Sequence, residues 1–266
     1  MPGPVGRAVP VTGGELWVHV WGEPDAEPVL AVHGITASGM AWNAVADRLS
    51  TPMVAPDLRG RGRSVAAGPY GMAGHAEDCV RVLDALGIER ARVVGHSMGG
   101  FVAAVFAHRH PDRVARLVLV DGGAPLAAPD GDPDALLGPA AERLRMTFPS
   151  RDAYRDFWRA HPAFRDWSPA VEAYVDHDLG PDGRSRVAEE AMRADFVDLH
   201  HGAAGRDAFA ALPEGTPFLR AERGLLDEVP PLYPDPPPGL DVRSVPDSNH
   251  YSILFAHAGV VAAALD

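Results

Sequence analysis

Apolar and polar positions alternate between two periods along the chain, and the change from one to the other marks its elements. Residues 14–21, GELWVHVW, alternate apolar with polar, the period of a half-exposed strand. PVLAVH at 28–33 and PMVAP at 52–56 are short apolar runs that end in turns, which fits strands covered on both faces. Helical spacing fills the gaps at 40–49 and 71–86; in the second, Val80, Val82, Leu83 and Leu86 form the apolar stripe. ARVVG at 91–95 predicts a strand, 98–110 a helix, and RLVLVD at 116–121 a strand again. Strand and helix in this rhythm imply an α/β fold: a mostly parallel central sheet, right-handed crossovers, and helices on both faces.

The rhythm stops at about residue 124 and resumes near 208. The segment between has no strand pattern. Ser150, and Ser168 followed by Pro169, have the chemistry of helix starts, a side-chain acceptor and then a proline already set to the helical φ. The segment also holds Phe148, Tyr154, Phe157, Trp158, Phe164, Trp167, Tyr174 and Phe196. We expect residues 1–123 and 208–266 to form the core domain and 124–207 an inserted helical cap. The inner face of that cap is expected to line a pocket, with Trp158 and Phe157 as substrate-binding candidates. Beyond the insertion, TPFLRAE at 216–222 and LDVRSV at 240–245 predict strands, and 251–265 a closing helix. The proline-rich 230–239 between the strands is a stiff loop, placed so that it can shape a pocket mouth.

Composition narrows the function. With 266 residues the chain can bury a large core without disulfide or metal, and its one cysteine, Cys79, has no partner. The N-terminal residues lack the apolar run of a secretory signal, and no stretch is long and apolar enough to span a membrane. A cytoplasmic protein in a reducing compartment is expected. A net charge of −12 disfavours nucleic acid, anionic membranes and strongly anionic substrates, so the expected partner is a small molecule. Every basic residue is arginine, which excludes lysine chemistry such as a Schiff base or a phosphate-binding loop lysine. The absence of lysine together with abundant Ala, Arg, Gly and Pro fits a GC-rich bacterial genome. The oligomeric state has no signature here.

Three stretches resemble binding motifs without fitting them. Gly60-Arg61-Gly62 lacks the third glycine and the following helix of a dinucleotide site. His108 and His110 sit two apart on a helix and face different ways, and His200 and His201 have no carboxylate at ligand spacing. No metal and no cofactor are expected.

The strongest chemical signal is Gly95-His96-Ser97-Met98-Gly99-Gly100, which lies between a predicted strand and a predicted helix. A sharp strand-to-helix turn there lifts the Ser97 hydroxyl above the sheet, while glycines keep neighbouring β-carbons away. The Met98 N–H then lies at a helix N-terminus, where donors are free and the dipole favours an anion. His250 follows a strand and precedes the last helix. A serine hydroxyl becomes a useful nucleophile when an imidazole takes its proton, and His250 is the candidate base.

In sequence order, VHG (32–34), DLRGRGRS (57–64), VVGHSMGG (93–100) and VPDSNHYS (245–252) together resemble the α/β-hydrolase fold superfamily over nearly the whole chain. The resemblance implies a serine hydrolase with Ser97 as nucleophile and His250 as base. It also implies the Ile35 and Met98 backbone N–H groups as the oxyanion hole. His33 then serves to fix its loop by hydrogen bonds. The triad acid stays open. If RAERG (220–224) aligns with the family's usual acid turn, Gly224 stands where the acid should be, and Asp227 lies three residues on. The other candidate, Asp121, ends the strand beside the nucleophile strand, where some members, including haloalkane dehalogenases, carry their acid. The implied activity is hydrolysis of an ester-like bond in a small, mostly apolar molecule. Other chemistry on the same fold (thioesterase, lactonase, C–C hydrolase or lyase) and non-catalytic ligand binding are the alternatives. A serine at 97 disfavours dehalogenase and epoxide hydrolase chemistry, which need a carboxylate there.

Overall fold

The computed structural model describes residues 3–24, 27–126 and 133–266, with no side-chain account of 133–136. Eight strands form one sheet: β1 (Val5–Val11), β2 (Gly14–Trp21), β3 (Val29–Val32), β4 (Met53–Pro56), β5 (Ala91–His96), β6 (Val114–Val120), β7 (Thr216–Arg223) and β8 (Leu240–Asn249). Their order across the sheet is β1-β2-β4-β3-β5-β6-β7-β8. β2 runs antiparallel to both β1 and β4, and every other pairing is parallel.

The apolar run of β5 shows why the middle of the sheet has no polar face. Val93 packs with Val82 of α2 (Met72–Ala85) and Val102 of α3 (Met98–Arg109) on one side. Val94 packs with Val45 of α1 (Asn43–Ala46) and Val261 of α9 (Ala258–Leu265) on the other. Alternate side chains of one strand thus feed two cores, and each fully buried side chain of this kind contributes about 1.5–3 kcal/mol. α3 is apolar all round, as a helix covered on every side must be: Phe101, Val102, Val105 and Phe106 are all buried.

β1 was not foreseen. Val5–Val11 is a mostly exposed edge strand with Pro10 in it, so burial imposes no alternation there. It exists because Gly13 (φ 87°) turns the chain back to pair with β2, and because Gly6 leaves room for the Trp17 indole, which a β-carbon would strike at 1.9 Å.

Between β6 and β7 the chain forms α4 (Pro133–Arg145), α5 (Arg151–Arg159), α6 (Pro169–Asp178), α7 (Glu189–His201) and α8 (Ala203–Ala210). Ser150 and Ser168 cap α5 and α6, accepting from the N–H groups of Ala153 (3.1 Å) and Val171 (3.3 Å). The expected boundary at 207 falls inside α8, whose Ala208 is buried in the same core as α3. Two helices are shorter than their apolar patterns suggested. Residues 39–46 form a 3₁₀ turn and then a single α-turn, and at the C-terminus 251–257 are turns, with helix from Ala258 only.

Candidate active site

Ser97 joins β5 to α3 with φ 55° and ψ −126°, a conformation that costs a non-glycine residue about 1–3 kcal/mol. Contacts between main chains hold it there. A β-carbon on Gly95 would lie 2.0 Å from the Gly99 carbonyl oxygen, and one on Gly99 would lie 2.1 Å from that of Val32. Gly122 closes the ring: a β-carbon there would lie 2.1 Å from the Ser97 carbonyl oxygen. Ser97 also begins α3, so the Met98 N–H is among the donors that a helix leaves unpaired.

The turn after β3 approaches from the other side. His33 is fully buried. Its Nε2 accepts from the Leu58 N–H (2.9 Å) and its Nδ1–H donates to the Gly34 carbonyl (2.7 Å). Burial lowers its pKa to about 3, so it stays a neutral imidazole with a fixed tautomer. The Gly34 carbonyl shares a trans peptide plane with the Ile35 N–H, so holding one orients the other the opposite way. The next carbonyl, of Ile35, accepts from Arg61 Nε (3.0 Å). Arg61 is itself buried and paired through Nη1 with Asp195 of α7 at 2.6 Å. Asp195 also accepts from His75 (2.9 Å) and the Gly71 N–H (2.6 Å).

His250 lies in the turn after β8, and its Nδ1–H donates to Asp121 Oδ2 at 2.7 Å. Asp121, at the end of β6 with φ 44°, takes the Ala221 N–H on its other oxygen at 3.1 Å. Both side chains are buried. Asp227 is engaged elsewhere: it accepts from Arg223 (2.6 Å) and Asn249 Nδ2 (3.0 Å) and pairs with Arg165. Of the two acid candidates, the structure brings Asp121 to His250 and leaves Asp227 in a clamp of arginines.

Ser97 and His250 line one pocket of about 160 Å³, together with Gly34 and Ile35. No hydrogen bond joins the Ser97 hydroxyl to His250 in this structure. The helical insertion supplies Leu137, Ala140, Tyr174 and Met192; Tyr251, Leu254 and Phe255 come from the turns after His250. Trp158 and Phe157, the expected substrate-binding aromatics, are not in this wall. They pack edge to face with each other (5.8 Å between centroids) and, with Tyr154 and Phe148, join the buried core that continues under this face of the sheet. The aromatic content of the segment made them candidates, but their rings meet other buried aromatics rather than the pocket. The proline-rich 230–239 does not reach the pocket either. Its Tyr233 is buried against Phe218 and donates to the Ala124 carbonyl (2.9 Å); Leu225, earlier in the connection between β7 and β8, does line the pocket.

Sequence spacing gave no sign of a second cluster. His19 of β2 and His177 of α6 flank Asp57, at 3.1 and 2.8 Å. Asp57 also takes the Gly39 and Arg63 N–H groups, both at 2.8 Å. Although burial alone would raise the pKa of this carboxyl, the bonds from His177 and His19 hold it low. Among the described residues this is the one group placed closely enough to hold a metal ion. Its carboxylate is already satisfied by four N–H donors, and it shares no residue with the Ser97 pocket.

A strained serine between β5 and α3, on one pocket with a histidine paired to an aspartate, is the arrangement of a hydrolase-type site on a parallel sheet. The chain belongs to the α/β-hydrolase family: the model for the alpha/beta hydrolase fold matches residues 27–167. It is 35% identical to lipase LipV of Mycobacterium tuberculosis over 199 residues, 70% of this chain and 71% of that protein. It is 43% identical to the putative carbamate hydrolase RutD of Caulobacter segnis over 110 residues, 40% of this chain and only 41% of the relative. Among solved structures, E-2-(acetamidomethylene)succinate hydrolase superposes with a TM-score of 0.77 at 23% identity, covering 98% of this chain and 97% of that one. The thioesterase domain from the curacin biosynthetic pathway gives 0.75 at 20% identity, covering 98% and 99%. These two likenesses establish the fold and nothing finer. No helix among the described residues is long and apolar enough to cross a membrane.

Proposed function

We propose that this protein is a serine hydrolase that cleaves an ester-like bond in a small, uncharged molecule through an acyl-enzyme. The observation that carries the reading is the 2.7 Å His250–Asp121 bond beside the strained Ser97, both opening on one apolar pocket. Ser97 Oγ attacks the carbonyl carbon while His250 Nε2 takes the hydroxyl proton. Asp121 keeps His250 in the tautomer with Nδ1 protonated and stabilises the imidazolium. The Ile35 and Met98 N–H groups receive the developing oxyanion. The imidazolium then protonates the leaving oxygen, and water releases the acyl group by the same path reversed. None of these steps calls for a cofactor. The insertion between β6 and β7 acts as a cap over the pocket.

A second reading has a specific support. The similarity to a putative carbamate hydrolase favours a substrate with nitrogen beside the carbonyl, and the same residues would serve. The test is intact-mass analysis after treatment with a fluorophosphonate. One adduct is expected on the wild type, none on Ser97→Ala, and slow labelling on His250→Ala. Folded wild type that takes no adduct would overturn the activated-serine reading and favour a ligand-binding role.

A further inference from the structure

The wall of the Ser97 pocket carries polar atoms that the acyl-transfer steps do not use. His96 Nε2–H donates to the His250 carbonyl at 2.8 Å, and the two imidazoles lie 4.5 Å apart. Burial, and then the neighbouring His250, push the His96 pKa well below the ordinary value, so the ring carries one proton, on Nε2. Nδ1 is therefore a lone-pair acceptor only. It has no hydrogen-bond partner among the described residues, yet it is absent from the sealed, unpartnered atoms of the interior, so it opens on the pocket that His96 lines. The same holds for the hydroxyls of Tyr174 and Tyr251. His96 and Tyr174 are each only 4% exposed, so solvent does little for them.

Position ties these atoms to the reaction. A point one bond from the Gly34 α-carbon lies 3.5 Å from Ser97 Oγ and 3.6 Å from His96 Nδ1. Ser97 Oγ and His96 Nδ1 therefore stand on the same side of Gly34 and no more than about 7 Å apart, so a donor that reaches Nδ1 sits within a few atoms of the carbonyl carbon under attack. Size and charge set the remaining limits. A cavity of this volume takes a group about as large as benzene. Apart from His250 and His96, no titratable side chain other than the two tyrosines lines it among the described residues, so no arginine of the wall would pair a buried carboxylate or phosphate.

We propose that the pocket is built for a short, uncharged acyl group that carries its own O–H or N–H donor close to the scissile carbonyl, with His96 Nδ1 as acceptor and the Tyr174 and Tyr251 hydroxyls as further partners. This rests on the Ser97 acyl-transfer reading and sharpens it. A plain alkyl acyl group of the same size fills the space and leaves the buried His96 acceptor unpaired, and a site that bonds a substrate hydroxyl discriminates against the analogue that lacks it.

The experiment compares kcat/KM for phenyl esters of butyrate, of both enantiomers of 2- and 3-hydroxybutyrate, and of succinate as its monoester. At least one hydroxy ester is expected to exceed butyrate by about tenfold or more, with the succinate ester poorest. Tyr174→Phe is expected to reduce that ratio. His96→Gln, which keeps a donor for the His250 carbonyl but has no acceptor at the Nδ1 position, is expected to bring it close to one. Protection of Ser97 from fluorophosphonate by the matching amides gives a second readout that needs no turnover, and hydroxybutyramides should protect at lower concentration than butyramide. Labelled Ser97 with equal rates, or equal protection, across the neutral pairs overturns this inference and leaves the acyl-transfer reading standing. A serine that takes no label and turns over none of the esters overturns both.

Discussion

Replacing Arg61 by methionine should damage both folding and catalysis, through two different bonds of one side chain. Arg61 and Asp195 are fully buried and paired at 2.6 Å, the first in the turn after β4 and the second on α7 of the insertion. Removing one partner of a buried pair costs about 3–5 kcal/mol, because the other charge stays behind in the interior. Asp195 keeps His75 and the Gly71 N–H, so the lower part of that range is expected. For a chain of this size the loss corresponds to a fall in Tm of roughly 6–16 °C. The second bond runs from Arg61 Nε to the Ile35 carbonyl at 3.0 Å, next to the peptide whose N–H is assigned to the oxyanion. Without it that turn loosens, and a misplacement of this kind lowers kcat by roughly ten- to a hundredfold. Thermal unfolding and aryl ester kinetics, with both kcat and KM determined, separate the two effects. Asp195→Asn should share the stability loss but retain more of kcat, since the Arg61–Ile35 bond survives. An Arg61→Met protein that unfolds within about 2 °C of the wild type, with kcat within a factor of about two, refutes the reasoning.

Two further predictions concern the acid and the buried imidazole. Asp121→Asn should reduce kcat by about 10³–10⁴, because an amide can hold His250 in the wrong tautomer. Asp227→Asn should retain most activity; the reverse result in a shared aryl ester assay would return the acid to Asp227. His33 should also make stability depend on pH. Its folded pKa of about 3 lies below the ordinary 6.5, so its contribution is complete above about pH 6.5 and is lost as the pH falls toward 3, at roughly 1.4 kcal/mol per unit. Urea unfolding between pH 7.5 and 4.5 should show a slope shallower by about one proton in His33→Gln, and an unchanged slope would remove His33 from the account.

The buried middle of the sheet and the turn at Ser97 could be read from the residues because each is set locally. Short apolar runs, a Gly-x-Ser-x-Gly sequence between strand and helix signals, and Ser-capped helices carry their geometry in neighbouring positions. What could not be read depends on which distant segments meet. Asp121 and Asp227 follow neighbouring strands, and β7, which leads to Asp227, is the one beside β8; only the path of the turns shows that His250 meets Asp121 while Asp227 bonds the adjacent Asn249. The aromatics of the insertion pose the same difficulty. Helical period puts Trp158 and Tyr174 each on an inward face, but whether that face meets another helix or an opening depends on packing. The Arg61–Asp195 and Asp57–His177 contacts join residues more than a hundred positions apart, and His19 joins Asp57 from another strand, with no spacing to announce them. β1 is the opposite case: it is local, but it is an exposed edge on which burial writes no pattern.

The ring of β-carbon-free contacts around Ser97 has a consequence for how this protein can change. Gly95, Gly99 and Gly122 press backbone on backbone, so the position of Ser97 owes little to any side chain that drift could swap. Much of the pocket wall, by contrast, is side chain, and Leu137, Ala140, Tyr174 and Met192 stand on a segment spliced between two strands. Reactivity and selectivity are thus stored in different materials. Such a chain can be retuned to a new acyl group by exchanging residues of the insertion, while almost any exchange within the glycine ring would disable it for every substrate alike.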